Sequence, residues 1–367
     1  MGSHITDLPT DAPSVSRPAL TDEQQAAFDG VMERRSIELD SGVDGSAGTG
    51  KTTLGAALME ALPEAVPVAP TGRAALNLGG KVGRAASTIH RLIYKPITFK
   101  SDDGEEILRF VPRYEGPGAL CGTDLVVDER SMVSEAMAAD LKRTGARIIS
   151  LGDSFQLQPV GGDPGFPDAD FRLETVHRQA LQSAVLRQAL RVRAGKPYQA
   201  DGRDFQIGDT LNERLLAGAD MLLCYRNATR HALNDRLRAT LGKSGHPRAG
   251  EPVLCLKNAI DYGISNGGVY VLARDFRSRD RDISLVIDGE ARVVPDVVFE
   301  GVERPPPKKA KFDFIVSEFD YGYCLTVHKA QGSEWDNVII IDEYTGWNIA
   351  RIGSILQQLG RRNGSSL

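Results

Sequence analysis

The chain has few cysteines, few aromatic residues and no long apolar run. Its 367 residues include four cysteines (Cys121, Cys224, Cys255 and Cys324), and their wide spacing excludes the close pairing of a zinc site or a disulfide framework. No segment has the apolar length of a membrane-spanning helix, and none resembles a secretory signal. We therefore expect a soluble, cytoplasmic protein with reduced cysteines.

Neither sign of charge dominates, since 44 Lys and Arg residues face 49 Asp and Glu residues. The net charge of -5 argues mildly against a protein that coats nucleic acid through bulk charge, although a basic groove can coexist with an acidic whole. The length suits two or three packed domains. Residues 1–18 are polar, begin Met-Gly-Ser-His and are expected to be a disordered tail or cloning remnant outside the fold.

Short apolar runs alternate with helical patterns in the first half of the chain. Examples of such runs are Ala65–Ala69, Asp124–Asp128 and Arg147–Leu151. Buried strands that alternate with helices predict an α/β domain, in which helices cover both faces of a parallel sheet.

Two further stretches have β character. Tyr94–Lys100 and Glu105–Val111 flank Asp102-Asp-Gly, which predicts a hairpin because Gly supplies the positive φ of a tight turn. Between residues 251 and 301, short β-like runs separated by Asn, Gly and Asp predict a small barrel-like insertion. The segment Arg304–Lys311 resembles a stiff basic connector, after which α/β character returns.

The strongest chemical signal is a glycine-rich loop, Gly45-Ser-Ala-Gly-Thr-Gly-Lys-Thr. Its spacing is that of a phosphate-binding loop, whose backbone N–H groups surround the phosphates of a nucleotide such as ATP. Lys51 would reach the β- and γ-phosphates, and the Thr52 hydroxyl would bind Mg²⁺. The segment just before the loop is poor in apolar residues for a buried strand. The predicted nucleotide-binding residues of the loop are Gly45, Ala47, Gly48, Thr49, Gly50, Lys51, Thr52 and Thr53.

A pair of acids follows the apolar strand Leu125-Val-Val. In a phosphoryl-transfer site, the first acid, Asp128, would hold Mg²⁺, and the second, Glu129, would act as general base toward the attacking water. Acids at the end of one strand are common, but an acid pair that follows a phosphate loop at the carboxyl edge of a sheet favours a hydrolase.

Three more motifs follow in order. They are Leu151-Gly-Asp-Ser-Phe-Gln-Leu-Gln-Pro-Val, Thr175-Val-His-Arg-Gln and Leu325-Thr-Val-His-Lys-Ala-Gln-Gly-Ser-Glu-Trp. With them the chain resembles superfamily 1 DNA helicases of the RecD-like and Dda-like (SF1B) group, from Thr21 to about Glu343. Several motifs in the family's order are far more specific than any one motif.

The resemblance implies roles at the nucleotide site. Asp22-Glu-Gln-Gln matches the motif whose glutamine reads adenine, with Gln25 as the favoured reader. Gln156 would sense the γ-phosphate, and Arg178 would be an arginine finger, since a planar fork suits the charge of the transferring phosphoryl group. The loop residues Gln331, Gly332 and Glu334 would join nucleotide to DNA, whereas Trp335 could equally be a packing residue.

The resemblance also implies DNA contacts. Pro70, Thr71, Gly72 and His90 belong to the two strand-contacting motifs of the first half, and Thr326 and His328 would contact DNA phosphates. Both histidines could equally be structural residues. If the protein holds single-stranded DNA through phosphate contacts and base stacking, its affinity for DNA should weaken as the salt concentration rises.

The implied architecture has two RecA-like motor domains. The first is expected at 19–172, with the β-hairpin insertion at about 92–118 as a duplex wedge. The second is expected at 173–248 and 313–367, with a small SH3-like β-barrel insertion at 249–312. The implied activity is ATP- and Mg²⁺-dependent movement on single-stranded DNA, 5′ to 3′, with unwinding at single-strand/duplex junctions. A monomer that works beside replication or recombination proteins is expected.

The end of the chain departs from the family's pattern. Arg361 or Arg362 falls near the position of a γ-phosphate arginine, but the Thr-Arg-Ala motif around it is absent. A frame change or truncation would explain this, and Arg130 after the acid pair is a second departure. The alternatives are a translocase or RNA helicase that does not unwind DNA, and a catalytically impaired DNA-binding protein.

Overall fold

The computed structural model describes residues 19–100, 106–114, 116–159, 162–177, 180–208, 210–256, 264, 266–287, 289–300 and 317–343. The α-helices are α1 (Asp22–Arg34), α2 (Lys51–Ala61), α3 (Gly72–Val82), α4 (Ile89–Ile93), α5 (Glu135–Arg143), α6 (Ala184–Arg193), α7 (Glu213–Gly218), α8 (Asn227–Thr240) and α9 (Val327–Ala330). The strands are β1 (Asp40–Gly45), β2 (Val66–Ala69), β3 (Ser87–Thr88), β4 (Tyr94–Lys100), β5 (Glu106–Pro112), β6 (Asp124–Val127), β7 (Arg147–Gly152), β8 (Phe171–Leu173), β9 (Met221–Cys224), β10 (Pro252–Cys255), β11 (Val269–Leu272), β12 (Ile283–Ile287), β13 (Glu290–Val294), β14 (Val297–Phe299), β15 (Ser317–Tyr321), β16 (Cys324–Thr326) and β17 (Val338–Ile340).

A parallel sheet of six strands, in the order β3-β2-β6-β7-β1-β8, forms the first half of the protein. Successive side chains of a strand point to opposite faces, so Val126 packs with α1, α2 and α3 while Leu125 and Val127 pack with α4 and α5. Apolar side chains are therefore buried on both faces, as the alternating pattern predicts, and the α/β class is confirmed.

Strand β1, which lies between β7 and the edge strand β8, is buried although its sequence is Asp-Ser-Gly-Val-Asp-Gly. Specific neighbours account for two of its unusual residues. A β-carbon at Gly42 would meet the Arg130 guanidinium, and Asp44 accepts hydrogen bonds from the backbone N–H and hydroxyl of Ser154 at 2.6 and 2.9 Å. Specific polar contacts thus replace the apolar side chains that a buried strand normally carries.

Strands β4 and β5 pair antiparallel from Tyr94↔Pro112 to Lys100↔Glu106, in agreement with two paired strands in this region. The predicted turn at Asp102-Asp-Gly lies outside the described residues.

The second half of the chain contains two more sheets. Strands β13-β12-β11-β10-β15 pair antiparallel with β14 added parallel at the edge, and the parallel strands β16-β9-β17 form a separate sheet. The change between them comes later than the expected residue 313, because Ser317–Tyr321 still pairs with β10 and β14. Strand β16, which begins at Cys324, is the first to return to the sheet of β9. The connector at 304–311 lies outside the described residues.

All four cysteines are free thiols. In the part of the chain that the structure describes, no helix is long and apolar enough to cross a membrane.

Candidate nucleotide and nucleic-acid site

The glycine-rich loop connects the end of β1 to the start of α2, as its motif predicts. Gly48 and Gly50 both have φ of +83°, which glycine adopts without steric cost. The Lys51 ammonium folds back over the loop and donates to the carbonyl oxygens of Gly45 and Ser46, the latter at 2.9 Å. The Thr49 hydroxyl donates to the Ser46 carbonyl at 2.8 Å. Lys51 is buried at the start of a helix whose N–H groups suit an anion, while Thr52 is exposed and Thr53 is half-buried.

The predicted adenine reader, Gln25, does not contact the glycine loop, whereas its neighbour Gln24 does. Gln25 is exposed and donates to Asp29 on the same helix. Gln24 is buried, and its amide donates to the Thr49 carbonyl at 3.1 Å. The reason is the start of α1: Thr21 caps the helix, and its N–H donates to Gln24 Oε1 at 3.0 Å in a capping box that turns Gln24 toward the loop.

His177 is a residue of this site that sequence reasoning missed. Its backbone N–H donates to the Gly48 carbonyl at 2.9 Å, and its Nε2 lies 3.0 Å from the Gln24 amide nitrogen. The adjacent segment is also fixed, because the N–H groups of Glu174 and Thr175 donate to the Glu23 carboxylate. Burial alone would raise the pKa of Glu23, but these donors lower it. The only sequence signal for His177 was its position beside Arg178, which itself lies outside the described residues.

The acid pair lies at the carboxyl end of β6. Asp128 is half-buried and accepts the Glu129 N–H at 2.9 Å, while Glu129 is buried. Glu129 has φ of +54°, a left-handed conformation that costs a non-glycine residue about 1 kcal/mol. Such strain is common at functional sites, where it directs a side chain. The Thr52 hydroxyl and the Asp128 carboxylate are hard oxygen donors of the kind that Mg²⁺ prefers.

Arg130 points away from the acid pair. It is buried, and its guanidinium donates to the carbonyls of Phe166, at 2.6 Å, and Asp168. Its side chain lies against Gly152, where a β-carbon would collide with it. Arg130 therefore has a structural role, that of holding the segment near residue 168 against the sheet.

The loop that carries Gln156, the predicted γ-phosphate sensor, follows β7 and is called the sensor loop below. Gln156 is 4% exposed, and neither polar atom of its amide has a hydrogen-bond partner among the described residues. Asp44 holds the loop through Ser154, and Asp153 is fully buried. Because β6, β7 and β1 are neighbours, the acid pair, the sensor loop and the glycine loop meet at one carboxyl edge, where nucleotides bind in open α/β sheets.

The predicted DNA-contact residues of the first half follow β2 and β3. Thr71 caps α3 and accepts the Ala74 N–H at 3.2 Å, with Pro70 and Gly72 on either side. His90 lies in α4, where its ring centroid is 4.7 Å from that of Tyr94 and 4.5 Å from that of Phe110. Burial lowers the pKa of His90, which favours the neutral ring.

The motif at 325–335 begins on β16 and reaches back to α3. Thr326 is buried at the start of α9, and His328 lies near the Tyr225 ring, with centroids 6.3 Å apart. The Asn77 amide of α3 donates to the Gly332 carbonyl. This contact joins the loop to the helix that Thr71 caps, and Asn77 had no signal in the sequence.

Gln331 resembles Gln156 in its environment. It is 4% exposed, and within the described residues neither atom of its amide has a hydrogen-bond partner. Buried amides normally have partners, so two such glutamines indicate places where a ligand or water completes the bonding. Glu334 follows Gln331 and Gly332 in the same loop. Trp335 packs against the cluster of Leu223 and Leu325, which supports its interpretation as a packing residue.

Comparison with known proteins identifies the family of this chain. Residues 19–205, just over half of the chain, match the family model described as an AAA domain. The chain belongs to this family, and its resemblance to the SF1B group of RecD-like and Dda-like helicases is confirmed. Residues 321–347 of this SF1B member also match a UvrD-like helicase C-terminal domain.

Two relatives illustrate the similarity of this SF1B chain. It is 29% identical over 365 residues to the ATP-dependent RecD2 DNA helicase of Deinococcus radiodurans, and the alignment covers 89% of this chain and 46% of the relative. It is 34% identical over 156 residues to the ATP-dependent DNA helicase dda of Enterobacteria phage T4, and this alignment covers 40% of this chain and 34% of the relative. The chain thus spans less than half of the length of these relatives.

The fold of this SF1B chain is that of Pif1 helicases, with RecA-like motor domains. A structure of Bacteroides Pif1 in complex with ADP-AlF3 and ssDNA has a TM-score of 0.58 at 18% identity and covers 95% of this chain and 91% of that one. A structure of Pif1 from Candida albicans has a TM-score of 0.54 at 18% identity and covers 95% and 93%.

Proposed function

We propose that this chain is an ATP-hydrolysing motor that moves along single-stranded DNA, 5′ to 3′, and separates duplex DNA at junctions. The observation that carries the proposal is the joint placement of Lys51, the acid pair and Gln156 at one sheet edge, where the Gln156 amide has no hydrogen-bond partner among the described residues. An amide that is buried without a partner costs free energy, and a γ-phosphate oxygen at this edge would supply the missing partner.

Each residue of the edge has a role in hydrolysis. The ammonium of Lys51, now on the Gly45 and Ser46 carbonyls, would transfer to the phosphates. Thr52 and Asp128 would hold Mg²⁺, which neutralises phosphate charge when bound. Glu129, whose left-handed backbone directs its carboxylate, would accept the proton of the attacking water. Arg178 is proposed as the arginine finger on the basis of the motif alone.

Hydrolysis would be coupled to DNA through two contacts. Gln156 and Gln331, which both lack partners within the described residues, would respond to the nucleotide. The Asn77–Gly332 hydrogen bond would carry that response between the loop at 325–335 and α3. Thr71, His90, Thr326 and His328 would then grip the strand in turn as the cleft opens and closes.

The domain arrangement supports such a motor. We assign motor domain 1 to residues 19–173, one residue beyond the expected boundary, because β8 (Phe171–Leu173) pairs with β1. We assign motor domain 2 to β9, α8, β16, α9 and β17 with the segment from residue 174. The antiparallel sheet of β10–β15 is proposed as the SH3-like insertion, and the β4–β5 pair as the base of the duplex wedge. The cytoplasmic location, the monomeric state and replication or recombination partners remain predictions.

ATP hydrolysis by the wild type and by Lys51→Ala, with and without single-stranded DNA, tests the proposal. We expect DNA to stimulate the wild type and Lys51→Ala to lose nearly all turnover. A matched control is Lys81→Ala, which removes an exposed lysine of α3. Unwinding of duplexes with a 5′ or a 3′ single-stranded tail reports polarity, and a parallel RNA strand separates a DNA motor from an RNA motor. A wild-type rate that is the same with and without a strand would refute the motor.

A further inference from the structure

Arg193 is an arginine that no motif of the chain assigned. It is the last residue of α6, the helix that follows the segment of His177 and Arg178. Its guanidinium lies 3.3 Å from Asp153 Oδ1 and donates to it. The arginine side chain is 25% exposed, whereas that of Asp153 is 0% exposed. The ion pair therefore joins α6 to the start of the sensor loop.

A second contact holds the same guanidinium. Its central carbon lies 3.7 Å from the centroid of the Phe155 ring. Phe155 is otherwise an exposed aromatic residue, and the stacking contact accounts for its position. The planar guanidinium is thus fixed by a carboxylate and by an aromatic face, both of which belong to the sensor loop. A lysine cannot reproduce both contacts.

Asp153 lies in the electrostatic environment of the nucleotide site. Its Oδ1 also accepts the Phe155 N–H at 3.0 Å, while its buried Oδ2 has no hydrogen-bond partner among the described residues. Burial raises the pKa of Asp153, and the charges of Lys51 and Arg193 oppose that rise. Strands β1 and β7 are parallel neighbours, so Asp153, which follows β7, and the glycine loop, which follows β1, lie at the same carboxyl edge of the sheet. The buried Asp153 carboxylate therefore lies between the ion pair with Arg193 and the loop that carries Lys51.

We propose that Arg193 is a positioning residue of the nucleotide site, which neutralises Asp153 and so keeps Lys51 available to the phosphates. Removal of one partner of a buried ion pair leaves an uncompensated charge. Without Arg193, the Asp153 carboxylate would attract the Lys51 ammonium and compete with ATP for it. The same pair fixes α6, and with it the segment of His177, against the sensor loop. The inference rests on the proposed ATP site but not on movement along DNA.

A double-mutant cycle tests the proposal. The affinity for a fluorescent ATP analogue is measured without DNA for the wild type, Arg193→Met, Asp153→Asn and the double variant. We expect Arg193→Met to weaken binding about tenfold when Asp153 is present and by less than about threefold in the Asp153→Asn background. Arg193→Lys is expected to fall between the wild type and Arg193→Met. Arg191→Met on the same helix, whose guanidinium donates to the Pro197 carbonyl, is the control and should bind like the wild type.

The cycle separates positioning from mere stability. A purely structural Arg193 would lower the melting temperature and weaken binding equally in both backgrounds, which would overturn the proposal. The proposal would also be overturned if Arg193→Met and Arg191→Met bound the ATP analogue with the same affinity. The binding measurements contain no DNA, so they do not depend on the motor activity. If the wild type bound the analogue but its ATP hydrolysis did not respond to DNA, the motor would be refuted and the Arg193 result would still be decisive.

Discussion

The carboxylate of Asp44 accepts two hydrogen bonds from Ser154, one from the backbone N–H at 2.6 Å and one from the hydroxyl at 2.9 Å. Asp44 is 5% exposed and lies directly before the glycine loop. The pair therefore fixes the distance between the loop that binds phosphate and the loop that carries Gln156. This contact also explains why β1 carries an aspartate at a buried position.

Asp44→Asn is expected to lower kcat for ATP hydrolysis roughly tenfold, because the amide offers a single, uncharged acceptor to two donors. The melting temperature and steady-state rates with ATP measure the effect. Asp40→Asn on the same strand is the matched control, since Asp40 forms a half-exposed pair with Lys142 that contributes little. Equal rates for the two variants would show that Asp44 does not position the sensor.

Gln24 and Gln25 should differ sharply in their effect on nucleotide selection. Gln24→Ala removes the amide that contacts the Thr49 carbonyl and faces His177, so we expect the ratio of kcat/KM for ATP to that for GTP to fall toward one. Gln25→Ala removes only an exposed contact with Asp29 and should leave the ratio unchanged. The reverse result would restore Gln25 as the adenine reader.

The sequence predicted those parts of the site that depend on local pattern. Glycines at fixed spacing require a loop between strand and helix, and acids after an apolar strand must lie at the carboxyl edge of a parallel sheet. Lys51, Asp128 and Gln156 therefore came together as predicted. The choice between Gln24 and Gln25 depended on the capping box of Thr21, which fixes the rotation of α1.

Contacts between distant segments could not be predicted from a single sequence. Asp44 with Ser154, Asn77 with Gly332 and Arg193 with Asp153 each join elements that lie far apart in the chain. Arg130 shows the same limit, since only the fold reveals the space beside Gly152 that it occupies. The end of the antiparallel sheet likewise depends on strands that are distant in the chain, since Ser317–Tyr321 pairs with β10 and β14.

Asp124 should make the stability of the first sheet sensitive to acid. Arg35 and Arg147 each donate two hydrogen bonds to its carboxylate. Burial raises the pKa of Asp124, but these donors outweigh burial and lower the pKa below its ordinary value. Its stabilising effect is therefore complete above the unfolded pKa and is lost as the pH falls through the folded pKa.

Asp124→Asn is accordingly expected to lower the free energy of unfolding by about 2 kcal/mol at neutral pH. In urea titrations, the difference from the wild type should stay constant from pH 8 to about pH 5 and narrow below about pH 4. Glu38→Gln, which removes a half-exposed partner of Arg34, is the control and should differ little from the wild type at any pH. A difference that widened in acid would contradict the assignment.

Asn77 should couple DNA binding to ATP turnover. Its amide donates to the Gly332 carbonyl, and Gly332 has φ of +75° and lies against the backbone of Ala74. Asn77→Ala removes the hydrogen bond between the loop at 325–335 and α3, while Lys51 and the acid pair stay in place. We therefore expect the rate without DNA to change little and the stimulation by single-stranded DNA to fall several-fold.

Rates with and without DNA and the affinity for a labelled strand measure this coupling. Asn77→Asp is a useful companion, because it keeps the shape of the side chain but replaces the donor with a carboxylate that repels the Gly332 carbonyl. It should lose stimulation at least as strongly as Asn77→Ala. If both variants kept full stimulation, the contact between α3 and the loop would be packing only, and the coupling would have to pass through Gln156 and Gln331.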